Sequence, residues 1–278
     1  MADKCTVKDI LARKGQGKIT TLTAYDAATA RMLDESGIDI LLVGDSLGMV
    51  LLGYDSTVPV TMAEMLHHCR AVRRGTMRAL LVGDMPFGSF QAGLSEAVAN
   101  GVRFLKEGGC DGVKIEGGQE MAEVVRALTR AGVPVMGHLG LTPQTAGQLG
   151  GFKVQGRDLE SARKLLLDAQ SLAEAGVFAI VLECVPGALA GIVTRQVAVP
   201  TIGIGAGPEC DGQVLVINDL LGLSERHTPS FVKKYADLAP QVREAVTAFR
   251  DEVRSGAFPA AEHTFAAKND FSSLLGGN

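Results

Sequence analysis

Eight short apolar runs follow one another along the chain, and most of them end on a charged or polar residue flanked by glycine. The clearest are ILLVGDS, ending on Asp45 and Ser46; ALLVGDMPF, carrying Asp84; GVKIEGG, carrying Lys114 and Glu116; PVMGHLG, carrying His138; and AIVLECV, carrying Glu183. Near-continuous aliphatic runs of this length are the mark of parallel strands covered by helices on both faces. Between them the spacing of apolar positions changes to that of helices. In LSEAVANGVRFLKEGG, Ala97, Val98, Gly101, Val102 and Leu105 form one stripe. Strands alternating with helices imply parallel βαβ units, and eight such units predict a closed α/β barrel of the (β/α)8, or TIM, type.

The pattern predicts an opening helix over Val7–Lys14 with Thr6 as its N-cap, and strands over Lys18–Asp26, up to Asp45, Ala79–Met85 and Gly112–Glu116. Further strands follow over Pro134–Leu139, Ala179–Cys184, Pro200–Gly205 and Val214–Asn218. Thr61 and Glu64 have the spacing of a capping box for a helix running from Met62 to Arg74, and Ser95 is the expected cap of the helix that follows the third strand. The connection LTPQTAGQLGGFKVQGRD is long and rich in glycine, as expected of an active-site loop. A C-terminal helix over Gln241–Arg254 carries Val242, Ala245, Val246, Phe249 and Val253 on one face. Residues 1–278 therefore read as a single barrel domain, with an added helix at each end. From about 256 to 278 the chain is expected to be extended or partly disordered, with Phe258, Phe265 and Phe271 available to a neighbouring subunit.

Composition narrows the class. The 278 residues are 46% hydrophobic and 21% charged, with a formal net charge of −4 and no basic cluster, so no nucleic-acid partner is expected. Five cysteines, odd in number and without a CxxC pair, read as reduced thiols of a cytoplasmic protein. The opening MADKCTVKDI lacks the apolar core of a secretory signal. The stretch Gly176–Val193 is apolar but interrupted by Glu183 and Pro186, which argues against a membrane span.

Residues just past the strand ends of such a barrel converge on one mouth, where catalysis occurs. Asp45 and Asp84 close neighbouring strands with the same Val-Gly-Asp ending, and Glu116 closes the next. Adjacent carboxylates repel unless a cation lies between them, and oxygen-only ligands suit Mg²⁺ or Mn²⁺. Capping of the following helices, or pairing with lysines, is the plainer role for either aspartate alone. Lys114, two residues before Glu116, points the same way and can neutralise a substrate carboxylate. A structural ion pair or a Schiff-base role are its alternatives. Glu183, among aliphatic residues, is a candidate general base whose pKa burial would raise, or else a buried partner of an arginine. His138 can bind substrate or order the adjoining loop, and His67 and His68 lack a metal-binding spacing. The loop GIGAGPECDGQ either cradles a phosphate or lets backbone approach a flat ligand edge.

The motifs TLTAYD, LLVGDSLGMVLLGYDSTVPVT, DMPFGSF, VKIEGG, PVMGHLGLTPQ, GGFKVQGR, VLECVP and TIGIGAGPECDGQVLV, from about Thr6 to Leu223, resemble the ketopantoate hydroxymethyltransferase family. The resemblance implies a (β/α)8 barrel in a large homo-oligomer, typically a decamer in bacteria. It also implies transfer of a one-carbon unit from 5,10-methylenetetrahydrofolate to 3-methyl-2-oxobutanoate in pantothenate biosynthesis. One Mg²⁺ per subunit would be held by Asp45 and Asp84, with Glu116 at the metal directly or through water. Ser46 and Lys114 would hold the oxo acid, beside Asp45 and Asp84, and Glu183 would accept the proton. A Mg²⁺-dependent carbon–carbon lyase of the phosphoenolpyruvate mutase and isocitrate lyase kind is an alternative that lacks its KKCGH-like lid motif here. A catalytically idle barrel used as a scaffold is a second.

Overall fold

Side-chain alternation along the strands decides which residues reach the inside of the barrel. The computed structural model describes residues 3–148, 150–224 and 229–269. Eight parallel strands close on themselves in chain order: β1 (Ile19–Thr23), β2 (Ile40–Val43), β3 (Leu80–Asp84), β4 (Gly112–Glu116), β5 (Val135–Gly140), β6 (Ala179–Glu183), β7 (Thr201–Ile204) and β8 (Gly212–Leu215). The last pairs with the first, Ile19 lying opposite Gly212. Ile19, Ile40, Leu42, Leu80, Val82, Met136, Val181, Ile202 and Val214 fill the interior, together with Cys5 and Ile10 from the N-terminal segment. The intervening positions, such as Leu41, Leu81, Val113, Ile115, Ile180 and Leu182, face the helices in the second core layer.

The same alternation that turns Leu80 and Val82 inward also turns Asp84 inward, and it does so for Lys114 and Glu116 on β4, His138 on β5 and Glu183 on β6. The parallel register sets Asp84 beside Lys114 and Glu116 beside His138. The barrel thus converts a period-two pattern into one ring of polar groups at the C-terminal mouth.

The helices are α1 (Val7–Ala12), α2 (Ala27–Glu35), α3 (Leu47–Val50), α4 (Met62–Gly75), α5 (Leu94–Lys106), α6 (Ala122–Arg130), α7 (Leu159–Ala175), α8 (Gly187–Gln196), α9 (Ile217–Leu220) and α10 (Leu238–Ser255). Thr6 caps α1 and Thr61 with Glu64 caps α4, as the sequence predicts. The expected cap Ser95 lies inside α5 instead, whose N-cap is Gly93 at φ 145°, a backbone that a side chain would strain. Asp26 does not end β1. It caps α2 by accepting from the Thr29 N–H at 2.9 Å. The eighth strand starts two residues before its expected position and stops at Leu215, so Asn218 and Asp219 fall on α9.

Helices press closely on the barrel where glycine allows it. A Cβ at Gly83 would stand 2.4 Å from the Phe104 ring of α5. In contrast, no residue of α10 is buried: Val242, Val246, Phe249 and Val253 are all about half exposed, and Phe258 stacks edge-on against Phe249. Phe265 is fully exposed, and Phe271 lies outside the described residues.

Asp34, near the end of α2, holds the entry to β3. Its buried carboxylate accepts from the backbone N–H groups of Met77 (3.1 Å), Arg78 (3.0 Å) and Ala79 (2.7 Å). Leaving buried donors unpaired costs about 1–3 kcal/mol each, less where water reaches them. Asp34→Ala is therefore expected to lower the unfolding free energy by about 2–4 kcal/mol, and Asp34→Asn by less. Urea unfolding followed by circular dichroism measures this, and an unchanged midpoint for Asp34→Ala would show that the three donors are satisfied without the carboxylate.

Candidate active site

Strand ends and one loop build the mouth. Asp45, Asp84, Lys114, Glu116 and His138 are each no more than 5% exposed. They line one cavity together with Ser46 and Glu183, so every site residue expected from the sequence meets there. Lys114 Nζ donates to both oxygens of Asp84 at 2.7 Å and lies 3.5 Å from Glu116 Oε1. His138 lies between two acids: Nδ1 is 3.3 Å from Glu116 Oε1 and Nε2 is 3.2 Å from Glu183 Oε2. Neither contact has the alignment of a full hydrogen bond, so the attraction is mainly one of charge. The Ser46 hydroxyl is 2.9 Å from the Tyr25 hydroxyl.

Two residues that the sequence reading did not single out complete this frame. Gln144, on a one-turn 3-10 helix (Pro143–Thr145) after β5, donates through Nε2 to Asp45 Oδ2 and to the Met85 carbonyl, both at 2.9 Å. Its backbone N–H donates to Glu116 Oε2 at 3.1 Å. Tyr25 fixes Ser46. Neither position is apolar-periodic or charged; the signal for Gln144 was its place just beyond His138 in a glycine-rich connection.

The electrostatics follow from burial. Burial raises the Asp45 pKa well above the usual carboxylate range, and repulsion from Asp84 and Glu116 adds to it. Asp84 is also raised by burial, against the pull of Lys114. Burial likewise opposes ionisation of Glu116, but Lys114 and His138 outweigh it and hold that carboxyl below its usual value. Burial and the Lys114 charge disfavour a protonated His138, yet the flanking Glu116 and Glu183 push it up to about 9. The imidazole is then a cation at neutral pH, bracing Glu183. Glu183 is not sealed among aliphatic side chains as expected: its side chain is 17% exposed, faces the cavity and has a histidine rather than an arginine as partner. Cys184, next to it, has φ 49°, a left-handed backbone uncommon for a side-chain-bearing residue.

Among the described residues, no three His, Cys, Asp or Glu side chains form a ready cage for a metal ion. The donor chemistry nevertheless suits a hard divalent cation. Asp45 and Asp84 are adjacent, oxygen-bearing and destabilised as anions, and among the described residues Asp45 makes no ion pair. Mg²⁺ is commonly held by only one or two carboxylates, with waters completing its octahedron.

The loop after β7 serves packing. A Cβ at Gly205 (φ 62°) would stand 2.8 Å from the ring of Phe231, and one at Gly207 would stand 3.0 Å from Gly187 Cα. Its glycines let a flat ring and a neighbouring backbone approach.

A model of the ketopantoate hydroxymethyltransferase family matches residues 4–261. The 3-methyl-2-oxobutanoate hydroxymethyltransferase of Desulfotalea psychrophila is 65% identical over 274 residues, covering 98% of this chain and 98% of that protein. The enzyme of the same name from Syntrophobacter fumaroxidans is 57% identical over 277 residues, covering 100% and 98%. Among solved structures, 2,3-dimethylmalate lyase, a PEP mutase/isocitrate lyase superfamily member, superposes with a TM-score of 0.58 at 15% identity, covering 97% of this chain and 93% of that one. Phosphonopyruvate hydrolase complexed with oxalate and Mg++ gives 0.57 at 14%, covering 92% of each. At such identity the structural likeness speaks to the barrel alone.

Gln144 ties the ends of β2, β3 and β4 to the loop after β5. Partners that orient ligating carboxylates typically contribute about 10–100-fold to metal affinity. Gln144→Ala is expected to weaken Mn²⁺ binding by about tenfold, read from the electron paramagnetic resonance of free against bound Mn²⁺. Unchanged affinity would show that Asp45 is oriented without the amide.

Proposed function

The chain belongs to the ketopantoate hydroxymethyltransferase family, and from that premise we propose that it transfers the one-carbon unit of 5,10-methylenetetrahydrofolate to 3-methyl-2-oxobutanoate. The products are 2-dehydropantoate and tetrahydrofolate, a step of pantothenate biosynthesis. The observation that carries this reading is the convergence of Asp45, Ser46, Asp84, Lys114, Glu116 and Glu183 on one cavity at the barrel mouth, in a chain that matches the family over residues 4–261.

Each residue then has a chemical task. Asp45 and Asp84 would hold Mg²⁺, with Glu116 at the metal directly or through water, and the bound ion would act as a Lewis acid toward the oxo acid's carbonyl. Lys114 and the Ser46 hydroxyl bind the oxo acid beside Asp45 and Asp84. The ammonium stays charged there, because Asp84, Glu116 and Asp45 outweigh the burial that opposes it. Glu183 accepts the lone proton of C3. The methylene carbon parts from one of its two folate nitrogens, which takes up a proton equivalent to the one removed from C3, and the electron pair left on C3 bonds to that carbon while the second nitrogen still holds it, making C3 quaternary. Water then displaces the second nitrogen, its hydroxyl staying on the carbon as the hydroxymethyl group and its proton going to the nitrogen that leaves. His138, held between Glu116 and Glu183, keeps the base aimed.

The same reading extends to assembly and location. The half-exposed apolar stripe of α10 supports a homo-oligomer, decameric by family resemblance. Five free cysteines support a cytoplasmic setting. No described helix is long and apolar enough to cross a membrane.

Glu183→Gln is expected to retain Mg²⁺-dependent binding of 3-methyl-2-oxobutanoate, to lose exchange of its C3 proton in D₂O, and to lower turnover about 10²–10⁴-fold. Proton NMR of the oxo acid with enzyme and Mg²⁺ makes the measurement. Undiminished exchange in the variant would assign proton removal to another group.

A further inference from the structure

The oxo acid leaves much of the cavity unused. Its volume of about 460 Å³ falls in the roughly 300–1,000 Å³ range of sites that enclose drug-sized ligands, far more than a five-carbon acid fills. The ring of acids, Lys114, His138 and Ser46 already described accounts for the polar wall. Part of the remaining wall comes from the chain after β8, where Val216, Asp219 and Phe231 line the same cavity.

Asp219 stands out there. It sits on α9, is half-buried, and its side chain has no hydrogen-bond or ion-pair partner among the described residues. Lys234, the cation that acts on it electrostatically, lies 3.8 Å from Asp237 instead. Burial pushes its carboxyl pKa up. The backbone N–H of Ile217, two residues before Asp219, donates to Thr23 Oγ1 at 3.0 Å, which ties α9 to the end of β1, and Thr23 lines the same cavity. Phe231 contributes a ring whose back is fixed against Gly205.

A carboxylate in a partly dry wall selects a ligand edge with two parallel N–H donors, and an aromatic ring beside it selects a flat heterocycle. The 2-amino-4-oxopyrimidine end of a reduced folate offers both: a ring N–H next to an exocyclic amine, on a planar ring. We propose that Asp219 and Phe231 form the binding site for this end of the folate co-substrate, an inference that rests on the hydroxymethyltransferase reading above. The folate's reactive nitrogens then face the polar wall, where the oxo acid is bound.

The test uses the full chain with Mg²⁺. Asp219→Ala and Asp219→Asn are expected to raise KM for 5,10-methylenetetrahydrofolate, and the calorimetric Kd of tetrahydrofolate, by about 10–100-fold. KM for the oxo acid and folate-independent C3 deuteration are expected to stay as in the unaltered protein, which a general loss of structure would not allow. A 2-desamino analogue of tetrahydrofolate should bind the unaltered protein as weakly as tetrahydrofolate binds Asp219→Ala, and the variant should not distinguish the two. Tetrahydrofolate affinity that survives both substitutions, or equal weakening toward folate and oxo acid, overturns the assignment while the parent activity stands. An unaltered protein that neither binds tetrahydrofolate nor turns over the methylene form overturns both readings.

Discussion

Excess negative charge in a nearly dry barrel mouth is the constraint around which the rest of this site is arranged. Asp45, Asp84, Glu116 and Glu183 face Lys114 and a His138 that is held protonated up to about 9. With all four acids ionised, two charges would remain uncompensated, the charge of one divalent cation. Burial, with repulsion from Asp84 and Glu116, raises the Asp45 pKa well above the usual carboxylate range. Buried charges persist only where they are paired and hydrogen-bonded. The pairings here follow the strand register, with Lys114 on Asp84 and His138 on Glu116. Fold and charge balance are therefore one problem, since a slip of one residue in β4 would turn Lys114 and Glu116 together toward the helices.

The barrel was legible because its signals are local. Each strand is an aliphatic run, each helix an amphipathic stripe, and the chain order of eight such units leaves little topological freedom. The strand-borne site residues were legible for the same reason: Asp84, Lys114, Glu116, His138 and Glu183 stand at the ends of those runs. Gln144 and Tyr25 were not, because their importance comes from what they touch across the mouth. Gln144 contacts residues 28, 59 and 99 positions away. Asp219 escaped notice because the apolar run VLVIN reads as one strand. The structure ends β8 at Leu215 and folds Ile217–Leu220 into helix, which gives Asp219 its place in the cavity wall.

Backbone strain and capping mark where local preference yields to the global fold. Ser95 has the right chemistry for an N-cap, yet Gly93 takes the position with a backbone open only to glycine. Cys184 adopts a left-handed conformation directly after Glu183, and its carbonyl accepts from the backbone of Gln155 in the long loop. The strain therefore lies where the end of β6 anchors that loop over the cavity. Such conformations persist only where surrounding contacts over-determine them, which fits the role of base proposed for Glu183.

The cavity joins two kinds of wall. Its charged wall is carried by β3–β6, on rigid strands locked by register, with Asp45 added from the turn after β2. Its more apolar wall combines Met49 and Val50 of α3 and Phe152 and Val154 of the loop after β5 with residues of the chain after β8 such as Val216 and Phe231. Rigid strands suit the group that must be placed within a few tenths of an ångström of a proton. Short helices and loops suit a larger partner, whose flat body tolerates small shifts in its seat. A barrel built this way can hold its carboxylate chemistry fixed while, in the folate assignment proposed for Asp219 and Phe231, the segment after β8 selects the second molecule.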